Sequence, residues 1–479
     1  MSGTVGEGHE DATGRGGTAT REEYDTGRAV LLAVVAAIGG FLFGFDTAVI
    51  NGAVEAIRGD FAIGAGLTGF TVSSALLGCA AGAWVAGQLA GRFGRVRVML
   101  LASAFFTVSA VGSGLAAGPW DLIVWRVVGG LAVGAASVIA PAYIAEISPA
   151  SIRGRLGSLQ QLAIVTGIFV ALLSDYFIAT AAGGAGEELW LGLEAWRWMF
   201  LTEVVPAVAY GVLALQIPES PRFLVARGEY QRARSVLAQV LKSGVDERLR
   251  EIRRTVAEDA RSSVADLRGP FLGLLPIVWV GIGLSLFQQF VGINVIFYYS
   301  SSLWQQVGFS EADALVQTVI TSVTNIAVTV LAIALIDRVG RRRLLLVGSA
   351  GMAVSLAALA VAFATAPLVD GEPALEGAAG PVALVSANLF VVFFGMSWGP
   401  AVWVLLGEMF NNRIRAAALG LAAAAQWAGN FLISTTFPAL AEVGLGLAYG
   451  LYTAFAALSF VFVLRWVPET RGRQLEDME

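Results

Sequence analysis

Residues 28–50 read RAVLLAVVAAIGGFLFGFDTAVI, a run in which Arg28 and Asp46 are the only charged residues. An apolar stretch of about 20 residues crosses a bilayer as a helix, because a helix satisfies its own backbone groups inside hydrocarbon. Outward from this stretch, similar runs recur near 67–90, 97–117, 121–145, 157–180, 196–217, 271–300, 314–336, 343–366, 382–407, 416–437 and 444–466. They are continuous and do not alternate over ten-residue segments, so a transmembrane β-barrel is excluded. Composition agrees. Of 479 residues, 56% are hydrophobic and 14% charged, with mean hydropathy +0.72, whereas soluble domains carry about 25% charged residues. The expected fold class is an all-α membrane protein of twelve transmembrane helices in two six-helix bundles.

The remaining segments divide the chain. Residues 1–27 are rich in Gly, Thr and acids and predict a disordered tail without the basic start and short apolar core of a cleavable signal, so the first span is expected to be a retained signal-anchor. Residues 28–217 and 271–466 hold six runs each. Between them, 218–270 carries eleven Lys and Arg residues and a helical spacing of Tyr230, Val236, Leu237, Val240 and Leu241, which predicts a helical linker. Residues 467–479 form a short second tail. The net charge of −5 gathers no basic domain, which excludes a nucleic-acid footprint. One cysteine, Cys79, and one histidine, His9 in the tail, leave no disulfide framework, no Cys- or His-built metal site and no histidine shuttle in the membrane.

Arginines set the orientation. Arg92, Arg95 and Arg97, Arg153 and Arg155, Arg338 and Arg341 to Arg343, and Arg413 and Arg415 all follow even-numbered spans, while Glu187, Glu188, Glu194, Glu311, Asp313 and Glu442 lie on the opposite side. The positive-inside bias then predicts both termini in the cytoplasm, consistent with an even number of spans. The halves also echo each other: Arg92-Phe-Gly-Arg and Arg338-Val-Gly-Arg, Glu146 seven residues before Arg153 and Glu408 seven before Arg415, Pro218-Glu-Ser and Pro468-Glu-Thr. A duplicated six-helix unit of parallel topology points to an alternating-access transporter with its substrate site between the halves.

Polar side chains inside spans are expensive, an ionised group at a helix centre costing about 2.5–3.5 kcal/mol on insertion scales. Asp46 in span 1, Arg126 in span 4 and Glu203 in span 6 give one cation and two acids. They read either as a static pair that fixes packing or as a proton-coupling carboxylate whose charge Arg126 senses. A second set is neutral: Gln160, Gln161, Gln288, Gln289, Asn294, Asn325, Gln426 and Asn430, accompanied by Phe43, Phe297, Tyr298, Tyr299, Trp398, Trp403 and Trp427. Amides both donate and accept without charge, and aromatic faces stack on apolar C–H faces, the pairing that suits a pyranose. The plainer reading is interhelical glue at about 0.6 kcal/mol per bond and an aromatic belt. Gln288, Gln289 and Asn294, bracketing Gly292, favour the ligand site. At the arginine-rich side, Arg92, Glu146, Arg153, Arg338, Glu408 and Arg415 predict a gate of ion pairs between the halves, alongside the topological role of the arginines. Nothing matches a phosphate-binding loop or an activated nucleophile, so neither an ATP-driven pump nor an enzyme is indicated.

The chain also resembles the sugar porter family of the major facilitator superfamily over almost everything after the tail. The marks are Gly-Phe-Asp46-Thr-Ala-Val-Ile, Arg126-Val-Val-Gly-Gly, Pro141-Ala-Tyr-Ile-Ala-Glu146, Arg153-Gly, Pro218-Glu-Ser-Pro-Arg222, Gln288-Gln-Phe-Val-Gly-Ile-Asn294, Asp337-Arg-Val-Gly-Arg-Arg and Pro468-Glu-Thr-Arg-Gly. Met396-Ser-Trp-Gly-Pro400 and Ala425-Gln-Trp427 resemble bacterial proton-coupled xylose and glucose symporters. The resemblance implies that Gln161, Gln288, Gln289, Asn294, Trp398 and Gln426 bind sugar, with Asn325, Tyr298, Phe43 and Trp427 around them. It also implies that Asp46 couples the proton with Arg126 and Glu203 as partners, since this position is an acid in proton symporters and an amide in facilitative glucose carriers. Gly91 departs from the family, which usually places an acid or amide before the first Arg-Xaa-Gly-Arg turn. The expectation is a proton-coupled monosaccharide symporter of the plasma membrane, acting as a monomer on a monosaccharide and protons in the lipid bilayer, with no cofactor. The alternatives are a facilitative uniporter and a non-transporting sugar sensor, the latter disfavoured by a tail of about 13 residues after the last span.

Overall fold

Twelve helices long and apolar enough to cross a membrane follow one another in the computed structural model, which describes residues 24–149, 152–259, 267–369, 372–373, 375, 377–410 and 414–469. Spans 1 to 6 are Thr26–Asp60, Ala65–Phe93, Arg95–Gly114, Pro119–Ile147, Arg155–Ala182 and Ala195–Ala214. Spans 7 to 12 are Pro276–Gln306, Glu311–Leu335, Arg341–Ala364, Ala379–Met409, Ala417–Val443 and Leu445–Trp466. Each apolar run read from the sequence overlaps one span. Twelve crossings put the start of span 1 and the end of span 12 on one face, here the linker face because the segment between spans 6 and 7 lies there as well. The opposite side is the far face.

Small residues let the helices approach. Span 2 carries Gly78 and Gly82, and span 4 carries Gly130 and Gly134, two Gly-xxx-Gly pairs that face each other. A Cβ on Gly78 would stand 2.1 Å from the Val127 carbonyl oxygen, and one on Gly130 would stand 1.9 Å from that of Ala75. Only glycine allows this backbone contact, and in lipid, where apolar burial drives no association, such contact supplies the packing. Between the halves, span 2 lies against span 11 and span 5 against span 8.

Two spans are broken. Span 7 divides at Gly292, whose φ of +85° lies in the left-handed region, and a Cβ there would meet the Tyr452 ring at 2.6 Å. Span 10 contains one π-helical turn, Phe394–Trp398, before Gly399 and Pro400 restart the α-helix. Broken helices at membrane depth occur where the freed backbone faces protein or a cavity, and π-turns gather at functional sites.

The structure corrects two sequence boundaries. The seventh span begins at Pro276 and not at 271, because Arg268–Phe271 forms a strand that turns back onto Leu274. The end of the leading tail is ordered: Tyr24 bridges Leu241, the Asp25 amide donates to the Val240 carbonyl at 2.8 Å, and the Asp25 side chain caps the first helix by accepting from the Arg28 amide at 2.9 Å. Residues 1–23, including His9, and residues 470–479 lie outside the described residues. Within the linker, the helices Pro221–Ala226, Tyr230–Val240 and Val245–Asp259 close over Leu224, Val225, Val236, Leu237, Leu241 and Ile252. Tyr230, first residue of the second of these helices, is exposed with the Arg253 guanidinium 4.6 Å from its ring centre.

Candidate functional site

Spans 1, 4 and 6 bring the three charged residues of the first half together. Arg126 donates through Nη1 to the Asp46 backbone carbonyl at 2.9 Å and stands 3.5 Å from Asp46 Oδ1, with both side chains 2% exposed. Glu203 is equally buried, close enough to feel both charges, and neither of its oxygens has a hydrogen-bond partner among the described residues. Asp46 Oδ2 and Arg126 Nε are unpartnered too. The Arg126 guanidinium lies 5.9 Å from the Phe200 ring centre. A fixed structural pair in an apolar interior is normally completed by hydrogen bonds, since an unfinished one is destabilising. This one, with Glu203 beside it, leaves four atoms without a partner among the described residues. Gly129, one turn after Arg126, makes the room: a Cβ there would lie 3.0 Å from Asp46 Oδ1 and 2.5 Å from Ser109 Oγ.

The amides lie mainly in the second half, on both sides of the Gly292 break. Asn294 Nδ2 donates to Gln289 Oε1 at 2.5 Å, Gln289 Nε2 to Gln288 Oε1 at 3.3 Å, and Gln288 Nε2 to the Trp398 carbonyl at 2.9 Å. The π-turn presents that carbonyl. Trp398 itself is fully buried, its indole nitrogen donating to Ser349 Oγ at 2.9 Å, so in this conformation it is keyed into its own half. Asn430 Nδ2 reaches the Tyr298 hydroxyl at 3.4 Å, and Asn325 lies nearly buried beside Gly395. Phe43 of span 1 and Trp427 of span 11 meet across the halves with ring centres 6.0 Å apart. Gln161 is half-buried, and the Gln426 side-chain oxygen is buried without a partner among the described residues. Both polar side-chain atoms of Gln160, packed over Gly40, are likewise without a partner among the described residues.

On the linker face the arrangement differs from the expected gate. Glu146 pairs with Arg95 at 2.7 Å and Glu408 with Arg341 at 2.7 Å. These are the second arginines of the two Arg-Xaa-Gly-Arg turns, and each pair lies inside its own half. Arg92 instead lies against the Phe93 ring at 5.2 Å, and Arg92 and Arg338 meet no carboxylate among the described residues. The side chains of Arg153 and Arg415 fall outside what is described. The physical reason is geometric: the glycine of each turn starts a new helix, which aims the following arginine back at the end of the neighbouring span. The acids of the two Pro-Glu motifs complete the fixture by capping those helix starts. Glu219 accepts from the Arg95 and Val96 amides at 2.8 and 3.2 Å, and Glu469 from the Arg341 and Arg342 amides at 3.2 Å each.

Among the described residues, the polar ties between halves lie toward the far face. Asn51 Nδ2 donates to the Phe297 carbonyl and to Ser300 Oγ, both at 2.9 Å, and Asn51 Oδ1 accepts from the Ser301 amide at 3.1 Å. Ser73 and Thr435 hydroxyls meet at 2.6 Å, Glu311 accepts from the Ala185 amide at 2.8 Å, and Arg58 pairs with Glu442 at 2.8 Å. The far face is therefore closed. Sequence reasoning missed Asn51, although an amide five residues beyond Asp46 in the same apolar helix was a visible signal. It also missed Asp175, a carboxylate of span 5 that is fully buried and accepts from the Gly52 amide at 3.3 Å.

The chain matches the family described as "Sugar (and other) transporter" over residues 32–479. It is 59% identical over 451 residues to a glucose transport protein of Synechocystis sp., covering 94% of this chain and 96% of that one. It is 37% identical to the D-xylose-proton symporter of Escherichia coli, with 95% and 96% covered. Among solved structures it superposes on the major facilitator superfamily proton:xylose symporter XylE bound to 6-bromo-6-deoxy-D-glucose with TM-score 0.78 and 36% identity, covering 95% of this chain and 99% of that one. The inward open conformation of XylE from E. coli gives TM-score 0.78 at 36% identity, covering 93% and 98%. Likeness of this extent, carried over nearly the full length of each partner, means that the chain belongs to the sugar transporter family of the major facilitator superfamily.

Proposed function

We propose that the protein is a proton-coupled monosaccharide symporter, taking glucose- or xylose-type sugars through the cell membrane by alternating access, as a monomer with both termini in the cytoplasm. The observation that carries this reading is the incomplete buried pair: Arg126 holds Asp46 by one long contact and one backbone carbonyl while three carboxylate oxygens nearby have no donor among the described residues. A proton arriving at Asp46 removes the counter-charge of Arg126, which turns toward Glu203 and loosens span 1 from span 4. The relatives named as a glucose transport protein and as a D-xylose-proton symporter support the cargo and the coupling.

The amide chain supplies the sugar contacts. Gln288, Gln289 and Asn294 satisfy one another in a row, so hydroxyls that insert exchange amide–amide for amide–hydroxyl bonds and leave no buried group bare. Gln161 and Gln426 add donors and acceptors, and Phe43, Trp427 and Tyr298 supply apolar faces, with Asn325 and Trp398 setting the shape of the second half. On the proposed orientation the far face is outside, so the closed far face describes a conformation that releases cargo inward. The halves 28–217 and 271–466 then rock about the site, with the Glu146 and Glu408 fixtures travelling inside them. A potential of about 100 mV moves one charge with about 2.3 kcal/mol, roughly fifty-fold accumulation for one proton per sugar.

The test is uptake of labelled glucose and xylose into proteoliposomes with and without an inward proton gradient, for the parent and Asp46→Asn. The gradient should drive accumulation in the parent, while Asp46→Asn only exchanges sugar. If both proteins merely equilibrate sugar whatever the gradient, the protein is a uniporter and Asp46 a packing residue.

A further inference from the structure

Two hairpins, placed just before spans 6 and 7, share a construction that sugar and proton movement do not explain. In one, Glu188–Trp190 pairs with Leu193–Glu194 around Leu191-Gly192, and in the other Arg268–Phe271 turns onto Leu274 around Leu272-Gly273. Their tips read Trp190-Leu-Gly-Leu and Phe271-Leu-Gly-Leu, and each aromatic is followed eight residues later by a tryptophan. In both, that tryptophan clamps the tip: Trp198 Nε1 donates to the Trp190 carbonyl at 3.1 Å, and Trp279 Nε1 to the Phe271 carbonyl at 3.0 Å. The Trp190 and Trp198 rings stack with centres 5.4 Å apart.

The turn residues are the wrong ones for the turn alone. Leu191 and Gly192 have φ of +58° and +72°, and Leu272 and Gly273 have +46° and +83°, the two-residue geometry that favours Asn-Gly. Of the three non-glycine residues at positive φ among the described residues, two are these leucines. Packing inside the protein does not account for them either, because Leu191 is 69% exposed and Leu272 78%, and the neighbouring Trp190 and Phe271 are 63% and 58% exposed. What favours an exposed leucine and an aromatic at a strained tip is an apolar medium outside the protein. Its position supplies the medium. From Trp198 the exposed stripe Val205, Val208, Val212 and Leu215 runs down span 6 at helical spacing, so the first tip stands at the end of a lipid-facing surface. One tip lies on the far face and the other on the linker face, each where a span enters the membrane, the depth at which tryptophan is enriched.

We propose that the two tips are interfacial anchors, Trp190-Leu191 seated in the headgroup boundary of the far leaflet and Phe271-Leu272 in that of the linker-face leaflet. Each fixes the depth at which its span starts. Because the first belongs to spans 1–6 and the second to spans 7–12, each half is tethered to the lipid on a different face. The occupant is the bilayer itself and not a second copy or a soluble protein.

The test uses the full chain in phosphatidylcholine–phosphatidylglycerol vesicles with Cys79, which is buried, replaced by Ala. A nitroxide is placed at Leu191→Cys or Leu272→Cys, with Trp190→Cys and Phe271→Cys as second labels should either leucine variant fail to fold. Oxygen, which partitions into lipid, should relax all four labels more strongly than a water-soluble nickel chelate, the reverse of a label at Arg232→Cys on the exposed linker helix. Tip labels that share the aqueous pattern of Arg232→Cys overturn the anchor, and so do labels shielded from both agents, which would signal a protein partner.

Discussion

Removing the Asn51 side chain should unlatch the far face. Asn51→Ala deletes three hydrogen bonds between spans 1 and 7, to the Phe297 carbonyl, Ser300 Oγ and the Ser301 amide, at 2.9, 2.9 and 3.1 Å. The bond from Ser301 Oγ to the Asn51 backbone carbonyl survives in the variant. Side-chain hydrogen bonds between membrane helices average about 0.6 kcal/mol, so the three amount to about 1.8 kcal/mol, or roughly twentyfold in the ratio of far-open to far-closed molecules. Released groups on an open far face meet water and carry no further penalty. A parent with about 5% of molecules open would move to about half. Spin labels at Gly118→Cys and Ala378→Cys, on the far ends of span 4 and span 10 in opposite halves, report this as a second, longer distance of comparable weight in a double electron–electron resonance trace. A distance distribution identical to the parent's would refute the latch and leave the closure to helix packing alone.

Three further outcomes follow from the same geometry. Glu219→Ala and Glu469→Ala each remove a carboxylate cap from a helix start and should each lower stability by about 1 kcal/mol in detergent unfolding. The fixtures sit in different halves, so the double variant should add within about 0.5 kcal/mol, and strong non-additivity would contradict their independence. Gly292→Ala forces a side chain to a φ of +85° against Tyr452, at about 1–2 kcal/mol for the backbone alone. It should unfold more readily than Gly186→Ala, a glycine with open space around it, and equal melting temperatures would argue against the break. Gly129→Ala pushes on Ser109 and Asp46 and should lower gradient-driven accumulation while sugar exchange persists, with recovery when Ser109→Ala is added. Unaltered accumulation would mean that the Asp46 position tolerates displacement.

The twelve spans were legible because hydrocarbon imposes a single rule, some twenty apolar residues per crossing, and the chain obeys it throughout. Asp46, Arg126 and Glu203 were legible as a cluster because charges in a span need one another. Their unfinished bonding was not, since it depends on Gly129 and on where Ser109 points. The amides were legible as a set, but their order in a chain was hidden: it follows from the left-handed Gly292 and from a π-turn at Trp398 that no periodicity announces. The linker-face pairs were misassigned for a related reason. The seven-residue spacing from Glu146 to Arg153, repeated in the second half, was read as a gate between the halves, whereas Glu146 meets Arg95, distant in sequence but within its own half.

That reassignment bears on how the halves move. Had Glu146 and Glu408 paired across the linker face, opening that face would have meant parting buried charges, and losing one partner of a buried pair costs about 3–5 kcal/mol. Enclosed within their own halves, both pairs and both Pro-Glu caps survive any rocking and stiffen the bodies that rock. What must be exchanged is the set of ties toward the far face, which is slighter. The Arg58–Glu442 pair is exposed by 36% and 55% and belongs to the class worth about 0–1 kcal/mol. The three side-chain bonds of Asn51 and the single bonds of Ser73 and Glu311 are worth about 0.6 kcal/mol each. Their sum is a few kcal/mol, the same size as the roughly 2.3 kcal/mol that one charge gains across 100 mV. A latch of this strength lies within reach of the driving force that the proposed coupling of one proton to one sugar would supply.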